Sequence, residues 1–141
     1  VGKTSAYTKI VLDYIRNRRL DNWVHFVQIN SNDDLPLVYQ GAKIFIYPSL
    51  FEGFGIPVLE ALCSHLPVIT SNISSLPEAA GPHSRLVDPT QPDAIVSAIS
   101  DIMSDCDLCS RMKRMGYDYS LQFGGEIVSS NLVNLYTSCV D

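Results

Sequence analysis

The sequence predicts an α/β fold, a three-layer sandwich on a mainly parallel sheet, and three observations carry that reading. Short apolar runs rich in β-branched and aromatic residues, among them Ile44-Phe45-Ile46-Tyr47 and Val68-Ile69-Thr70, alternate with helical stretches from end to end. The stretch between two such runs is long enough for a crossover helix, which parallel strands need and a hairpin does not. With 141 residues, 46% of them hydrophobic, the chain has the material for one ordinary core and reads as a single domain.

The elements follow from local chemistry. Val1-Gly2-Lys3 looks like the end of a strand and its turn, as in a C-terminal piece whose first strand is truncated. Thr4 or Ser5 caps a first helix, whose apolar positions Tyr7, Ile10, Val11, Tyr14 and Ile15 recur at helical spacing. Arg16-Asn17-Arg18-Arg19 closes it, a basic cluster that complements the helix dipole. Residues 23–29 are β-branched and aromatic and are expected as a strand. A polar loop comes next, in which Asp33 or Asp34 caps a short helix from Leu35 that ends at Gly41.

Ile44-Phe45-Ile46-Tyr47 is the next strand, stopped by Pro48, and Val68-Ile69-Thr70 the one after it. Residues 71–75 form a polar loop ahead of a helical turn, Leu76-Pro77-Glu78-Ala79-Ala80, closed by Gly81. Arg85-Leu86-Val87 is a short strand. Gln91-Pro92-Asp93 starts a helix that is amphipathic through Ile95, Ala98, Ile99, Ile102 and Met103. A helix over residues 108–121, a break at Gly124-Gly125 and an amphipathic helix through Val128, Leu132, Leu135 and Tyr136 complete the chain. Met112 and Met115 read as core fillers, and His25 and His83 have no partner at a diagnostic spacing.

Composition narrows the function. Ten basic and fifteen acidic residues give a net charge of −5, which argues against nucleic acid or an anionic membrane as the main partner. Four cysteines in a mid-sized chain, two of them inside predicted helices, point to a reduced, cytoplasmic protein. Cys106 and Cys109 have C-x-x-C spacing, but no second pair completes a zinc set, and no metal is expected. No apolar run has the length of a membrane span.

The most informative stretch runs from Tyr47 to Ala61. A buried strand ends at Pro48, and a loop holds two glycines around one aromatic, Gly53-Phe54-Gly55. Pro57 then opens a helix, being suited to the first turn because its missing N–H would have had no partner there. Strand, glycine loop and helix N-terminus together present amide donors and a positive dipole end, which suit an anion. Glu52 and Glu60 bracket this mouth. Acids beside a phosphate are tolerable where each accepts from paired hydroxyls of a sugar instead, which points to a sugar nucleotide. The bland reading makes Glu52 a solvated loop residue and Glu60 an acid favouring its helix's first turns.

Taken together, Pro48-Ser49, Glu52-Gly53-Phe54-Gly55-Ile56-Pro57, Glu60-Ala61, Pro67-Val68-Ile69 and Ser74-Ser75-Leu76-Pro77-Glu78 resemble the donor-binding domain of retaining, GT-B-fold glycosyltransferases with the E-x7-E motif. The resemblance covers essentially the whole chain and implies a Rossmann-like half-domain. It also implies transfer of a hexose, with retention, from a nucleoside diphosphate sugar to an acceptor, without an essential metal at a D-x-D site. Glu52 would hold hydroxyls of the donor sugar, with Gly53, Phe54 and Gly55 lending backbone contacts. Ile56 and Val58 would offer N–H groups to the diphosphate, and Glu60 would bind the ribose. Gln28, Ile29 and Asn30 would line the nucleobase, although the family often has glycine where Gln28 stands. Ser74 or Ser75 would approach the diphosphate, a plain serine-rich loop being the alternative.

The family's upstream arginine and lysine pair and its N-terminal acceptor domain are not found here, so an inactive donor-binding half is expected, with any membrane contact made through the missing domain. Related sequences place glycine where His65 stands, so a left-handed backbone is expected at His65. A competing class is a non-catalytic protein-interaction or receiver-like module, which would need an acidic cluster at strand ends and a lysine on a later strand. Asp33 and Asp34 are adjacent, but no such lysine occurs after them.

Overall fold

The structure is a computed structural model and describes residues 6–29 and 31–139. Two compact units divide the chain, Val1–Leu35 and Pro36–Asp141.

In the first unit, α1 spans Ala6–Asn17. Its end closes with the N–H of Leu20 on the carbonyl of Ile15 and that of Arg19 on Arg16, both 3.0 Å, with Arg19 at φ 56°. This pairing satisfies the helix's orphan carbonyls. Of its apolar stripe, Ile15 is buried, whereas Tyr7, Ile10 and Tyr14 stay exposed. The expected caps, Thr4 and Ser5, lie outside the described residues, as does the strand end expected at Val1. The guanidinium of Arg18 lies 5.4 Å over the Tyr14 ring.

Residues 24–29 do not form the expected strand. Composition favours extension there, but a strand is completed by a ladder partner, and the unit holds none among its described residues. Its large side chains are correspondingly unburied, with Trp23 81% and Phe26 53% exposed.

The second unit carries α2 (Leu35–Gly41, beginning one residue before the boundary), β1 (Phe45–Tyr47), α3 (Ile56–Cys63), β2 (Val68–Ser71), α4 (Leu76–Ala80), β3 (Arg85–Val87), α5 (Pro92–Ser104), α6 (Cys106–Ser120) and α7 (Gly125–Ser138). Among the described residues three strands form one parallel sheet in the order β1-β2-β3, with Ile46 opposite Ile69 and Thr70 opposite Leu86. β2 lies in the middle and is buried at every position, as a central parallel strand should be. Ser31, not Asp33 or Asp34, receives the backbone N–H ahead of α2, its Oγ accepting from Asp33 at 3.2 Å.

One core cluster joins Ile69 and Val87 of the sheet to Ala98 and Ile102 of α5 and Met112 of α6. Val58, Ala61 and Leu62 bury the inner face of α3, and Gly116 lets α6 approach it, since a Cβ there would stand 2.8 Å from Leu62. α7 forms, but Val128, Leu132, Leu135 and Tyr136 are about half exposed or more. Met103 is likewise exposed on α5.

α3 ends as the sequence predicts. His65 has φ 55°, its N–H donates to Leu62 at 3.0 Å, and the N–H of Leu66 donates to Ala61 at 3.0 Å. The imidazole stacks on Tyr117 at 4.0 Å between centroids, which offsets part of the strain of a left-handed side chain. The two effects oppose each other at about 1 kcal/mol each, so His65→Gly should change stability by less than about 1 kcal/mol. His65→Val loses the stack and places a β-branched residue at positive φ, and should cost about 2–3 kcal/mol. Urea unfolding checks both; equal stability of the two variants contradicts the account.

Candidate functional site

The carboxyl ends of parallel strands are where an open α/β sheet leaves a crevice. Here the chain leaves β1 at Tyr47, and buried hydroxyls of β2 hold the departing segment. Thr70 Oγ1 donates to the carbonyl of Tyr47 at 2.7 Å and Ser71 Oγ to that of Ser49 at 2.6 Å. From the next loop, the hydroxyls of Ser74 and Ser75 both donate to the carbonyl of Glu52 at 2.9 Å. Ser74 takes φ 59° to reach it. These serines therefore fasten the glycine loop, where the sequence suggested a direct approach to a ligand. Four hydroxyls fix the path of residues 47–52, each bond worth about 1 kcal/mol.

The two glycines differ. Gly55 is the N-cap of α3 at φ 111°, and a Cβ there would stand 2.9 Å from Leu76 Cδ2 and 3.2 Å from Ala79 Cβ. Gly53 has nothing within 4 Å of where a Cβ would be. Phe54 between them sets its ring edge-on to Phe123, 5.5 Å away. No side chain caps α3, so the N–H of Ile56 in its first turn has no intrahelical acceptor. The N–H of Val58 donates to the carbonyl of Gly55 at 2.9 Å, and its side chain is fully buried. Of the two amides expected to face a diphosphate, that of Val58 is thus already engaged.

Both glutamates are held by tyrosines that sequence reasoning did not single out. Tyr47 Oη donates to Glu52 Oε1 at 2.6 Å, and Tyr39 Oη, from α2, donates to Glu60 Oε2 at 2.9 Å. The hydrogen bond from Tyr47 holds the Glu52 carboxyl below its ordinary range, with Ser49 adding to it. Tyr47 is pushed up chiefly by the same bond, and Tyr39 chiefly by burial and then by Glu60, so both phenols remain neutral donors at neutral pH. A tyrosine two residues from the end of a short helix and one at a strand end carry no periodic signal; only the tertiary contact identifies them.

Of the nucleobase candidates, Gln28 and Ile29 belong to the first unit and Asn30 lies outside the described residues. The chain does contain a D-x-D triplet, Asp105-Cys106-Asp107. It sits at the start of α6, where Asp105 is the N-cap and its Oδ1 accepts from the N–H of Leu108 at 2.8 Å, a structural use. No group of three or more metal-ligating side chains occurs among the described residues. The cysteines described are free thiols, and no helix described is long and apolar enough to cross a membrane.

The mixed α/β fold on a parallel sheet is that of a GT-B glycosyltransferase domain, and the comparisons agree. The sequence matches the family described as Glycosyl transferases group 1 over residues 2–119. The chain belongs to that family. It is 34% identical over 116 residues to the O-antigen chain mannosyltransferase B of Escherichia coli, covering 82% of this chain and 30% of that protein. It is 31% identical to the D-inositol 3-phosphate glycosyltransferase of Corynebacterium urealyticum, covering 82% of this chain and 28% of that protein. The chain thus spans less than a third of the length of these relatives.

Among solved structures, the sucrose-phosphate synthase of Thermosynechococcus elongatus superposes with a TM-score of 0.85 over 99% of this chain and 36% of that one, at 24% identity, a likeness of fold. The C-terminal domain of a group 1 glycosyl transferase from Francisella tularensis superposes at 0.72 over 80% of this chain and 60% of that one, at 28% identity. Membership of this family leaves the interaction-module reading without support, and neither β2 nor β3 carries the lysine it requires.

Gly55→Ala should destabilise by about 3 kcal/mol, from the left-handed backbone plus the collision with Leu76 and Ala79. Gly53→Ala should stay within about 1 kcal/mol of wild type, the ordinary cost at an open position. Urea unfolding measures the pair, and similar losses at both positions contradict the assignment of the constraint to Gly55.

Proposed function

We propose that the chain is the nucleotide-sugar-binding half of a retaining glycosyltransferase, which transfers a hexose from a nucleoside diphosphate sugar to an acceptor. The observation that carries this reading is the pair of phenol-held carboxylates, Glu52 and Glu60, on either side of an uncapped helix N-terminus. An anion suits the helix end, and hydroxyl pairs suit the carboxylates. A nucleoside diphosphate sugar has these groups in one molecule.

In this reading Glu60 accepts from the ribose and Glu52 from the hexose, with Gly53, Phe54 and Gly55 in backbone contact with the sugar. The N–H of Ile56 meets the diphosphate, while that of Val58 is shared with Gly55. The leaving diphosphate is stabilised by preorganised donors and the helix dipole, without a bound metal. Mannose is the hexose we favour, because several relatives are named mannosyltransferases, including those of Escherichia coli and Mycolicibacterium hassiacum. The acceptor is bound by parts of the protein beyond this chain, in the cytoplasm.

The roles separate in a calorimetric titration of the intact protein with UDP, GDP and ADP and their hexose derivatives. Glu60→Ala removes a hydrogen bond to a charged group, worth about 1.5–3 kcal/mol, and should weaken nucleotide and sugar nucleotide alike by about tenfold or more. Glu52→Gln should leave the bare nucleotide's affinity nearly unchanged and lower turnover instead. Equal losses for both ligands in both variants overturn the division of roles, and no loss in either overturns the donor site.

A further inference from the structure

The two phenols that hold the glutamates belong to one ring stack. Tyr39 lies edge-on to Phe45, with centroids 5.5 Å apart, and Phe45 stacks on Tyr47 at 5.8 Å with 13° between the planes. Phe45 and Tyr47 are two residues apart on β1 and share a face of the sheet. Tyr39 is buried and reaches them from α2. A single row of rings therefore ends in two hydroxyls, one on Glu60 and one on Glu52.

We propose that Tyr39, Phe45 and Tyr47 form a positioning ledge for the donor: Tyr39 fixes Glu60, Tyr47 fixes Glu52, and Phe45 couples the two. The inference rests on the donor-site reading above and extends it to residues that touch no part of the donor.

The chemistry of the pairs supports this. A glutamate on a surface samples many rotamers, and ordering it opposes binding. A phenol already bonded to one carboxylate oxygen removes that cost from the binding step. A carboxylate has about four acceptor sites and each phenol uses one, so a pair of donor hydroxyls still finds acceptors. Glu52 is faced by Tyr47 from β1 and by Ser49, while Ser74 and Ser75 take its backbone carbonyl; no ion pair reaches either glutamate among the described residues. Tyrosine is thus the group that sets each carboxylate's orientation.

The test uses the intact protein and variants that keep the rings, with the melting midpoint of each measured to confirm folding. Tyr39→Phe should weaken the best-bound nucleoside diphosphate about fivefold to tenfold, and should add nothing in a Glu60→Ala background. Tyr47→Phe should leave that affinity unchanged, lower kcat with the hexose derivative, and move the acid limb of the pH profile upward. The shift arises because the Glu52 carboxyl, held low mainly by Tyr47, returns toward its ordinary range. Phe45→Leu, which removes no hydrogen bond, should reduce both nucleotide affinity and kcat.

An equal loss from Tyr39→Phe in the wild-type and Glu60→Ala backgrounds would assign Tyr39 a merely structural role and overturn the proposal. So would an unmoved acid limb in Tyr47→Phe, or a Phe45→Leu variant with wild-type binding and turnover. If Glu60→Ala itself binds nucleotide like wild type, the donor-site reading fails first and this inference with it.

Discussion

The site depends on one backbone constraint, the left-handed Gly55 pressed against α4. At φ 111° the chain reverses in a single residue, and Leu76 and Ala79 leave no room for a Cβ. That reversal starts α3 where the strand-end loop delivers it. It stands between Glu52 before the turn and Glu60 after it, with seven residues separating the two. A side chain at this point would have to displace buried groups of α4, and the positions of both carboxylates would move with it.

Around this turn the structure spends its polar groups on order. Thr70 and Ser71 are buried on β2 yet satisfied, each hydroxyl holding a carbonyl of the departing chain. Ser74 and Ser75 do the same for Glu52. These bonds couple the sheet, whose register is fixed by parallel pairing, to a loop that would otherwise be free to drift. Preorganisation of this kind suits the proposed donor site, where a charged leaving group would be stabilised without movement.

Much of the fold was legible because it is written in local chemistry. Pro48 and Pro67 bound strands, Gly41 ends α2, and Pro57 and Pro92 lie in first turns, so those elements stand where the sequence placed them. His65 was readable because related sequences place glycine there, and a helix closing in that way wants positive φ whatever residue supplies it. Residues 23–29 were misread since strand identity is non-local, and composition cannot say whether a ladder partner is present. α7 was expected to bury an apolar stripe and does not among the described residues, because periodicity marks a face without naming what covers it. The glutamates were singled out by their place around the glycine turn and by the family resemblance. Their tyrosines were not, since Tyr39 meets Glu60 across 21 residues of sequence. The serines were expected either beside the diphosphate or as a plain loop, and their common acceptor, one carbonyl of Glu52, is a fact of three dimensions.

The central claim is that the carboxylates of Glu52 and Glu60 face a sugar nucleotide at the N-terminus of α3, and a crystal structure of the intact protein with a bound nucleoside diphosphate hexose tests it most directly. The account predicts ribose hydroxyls within hydrogen-bond distance of Glu60, hexose hydroxyls on Glu52, and a diphosphate oxygen on the N–H of Ile56, with the Tyr39 and Tyr47 bonds retained. A donor bound elsewhere, with both carboxylates facing solvent, would contradict it.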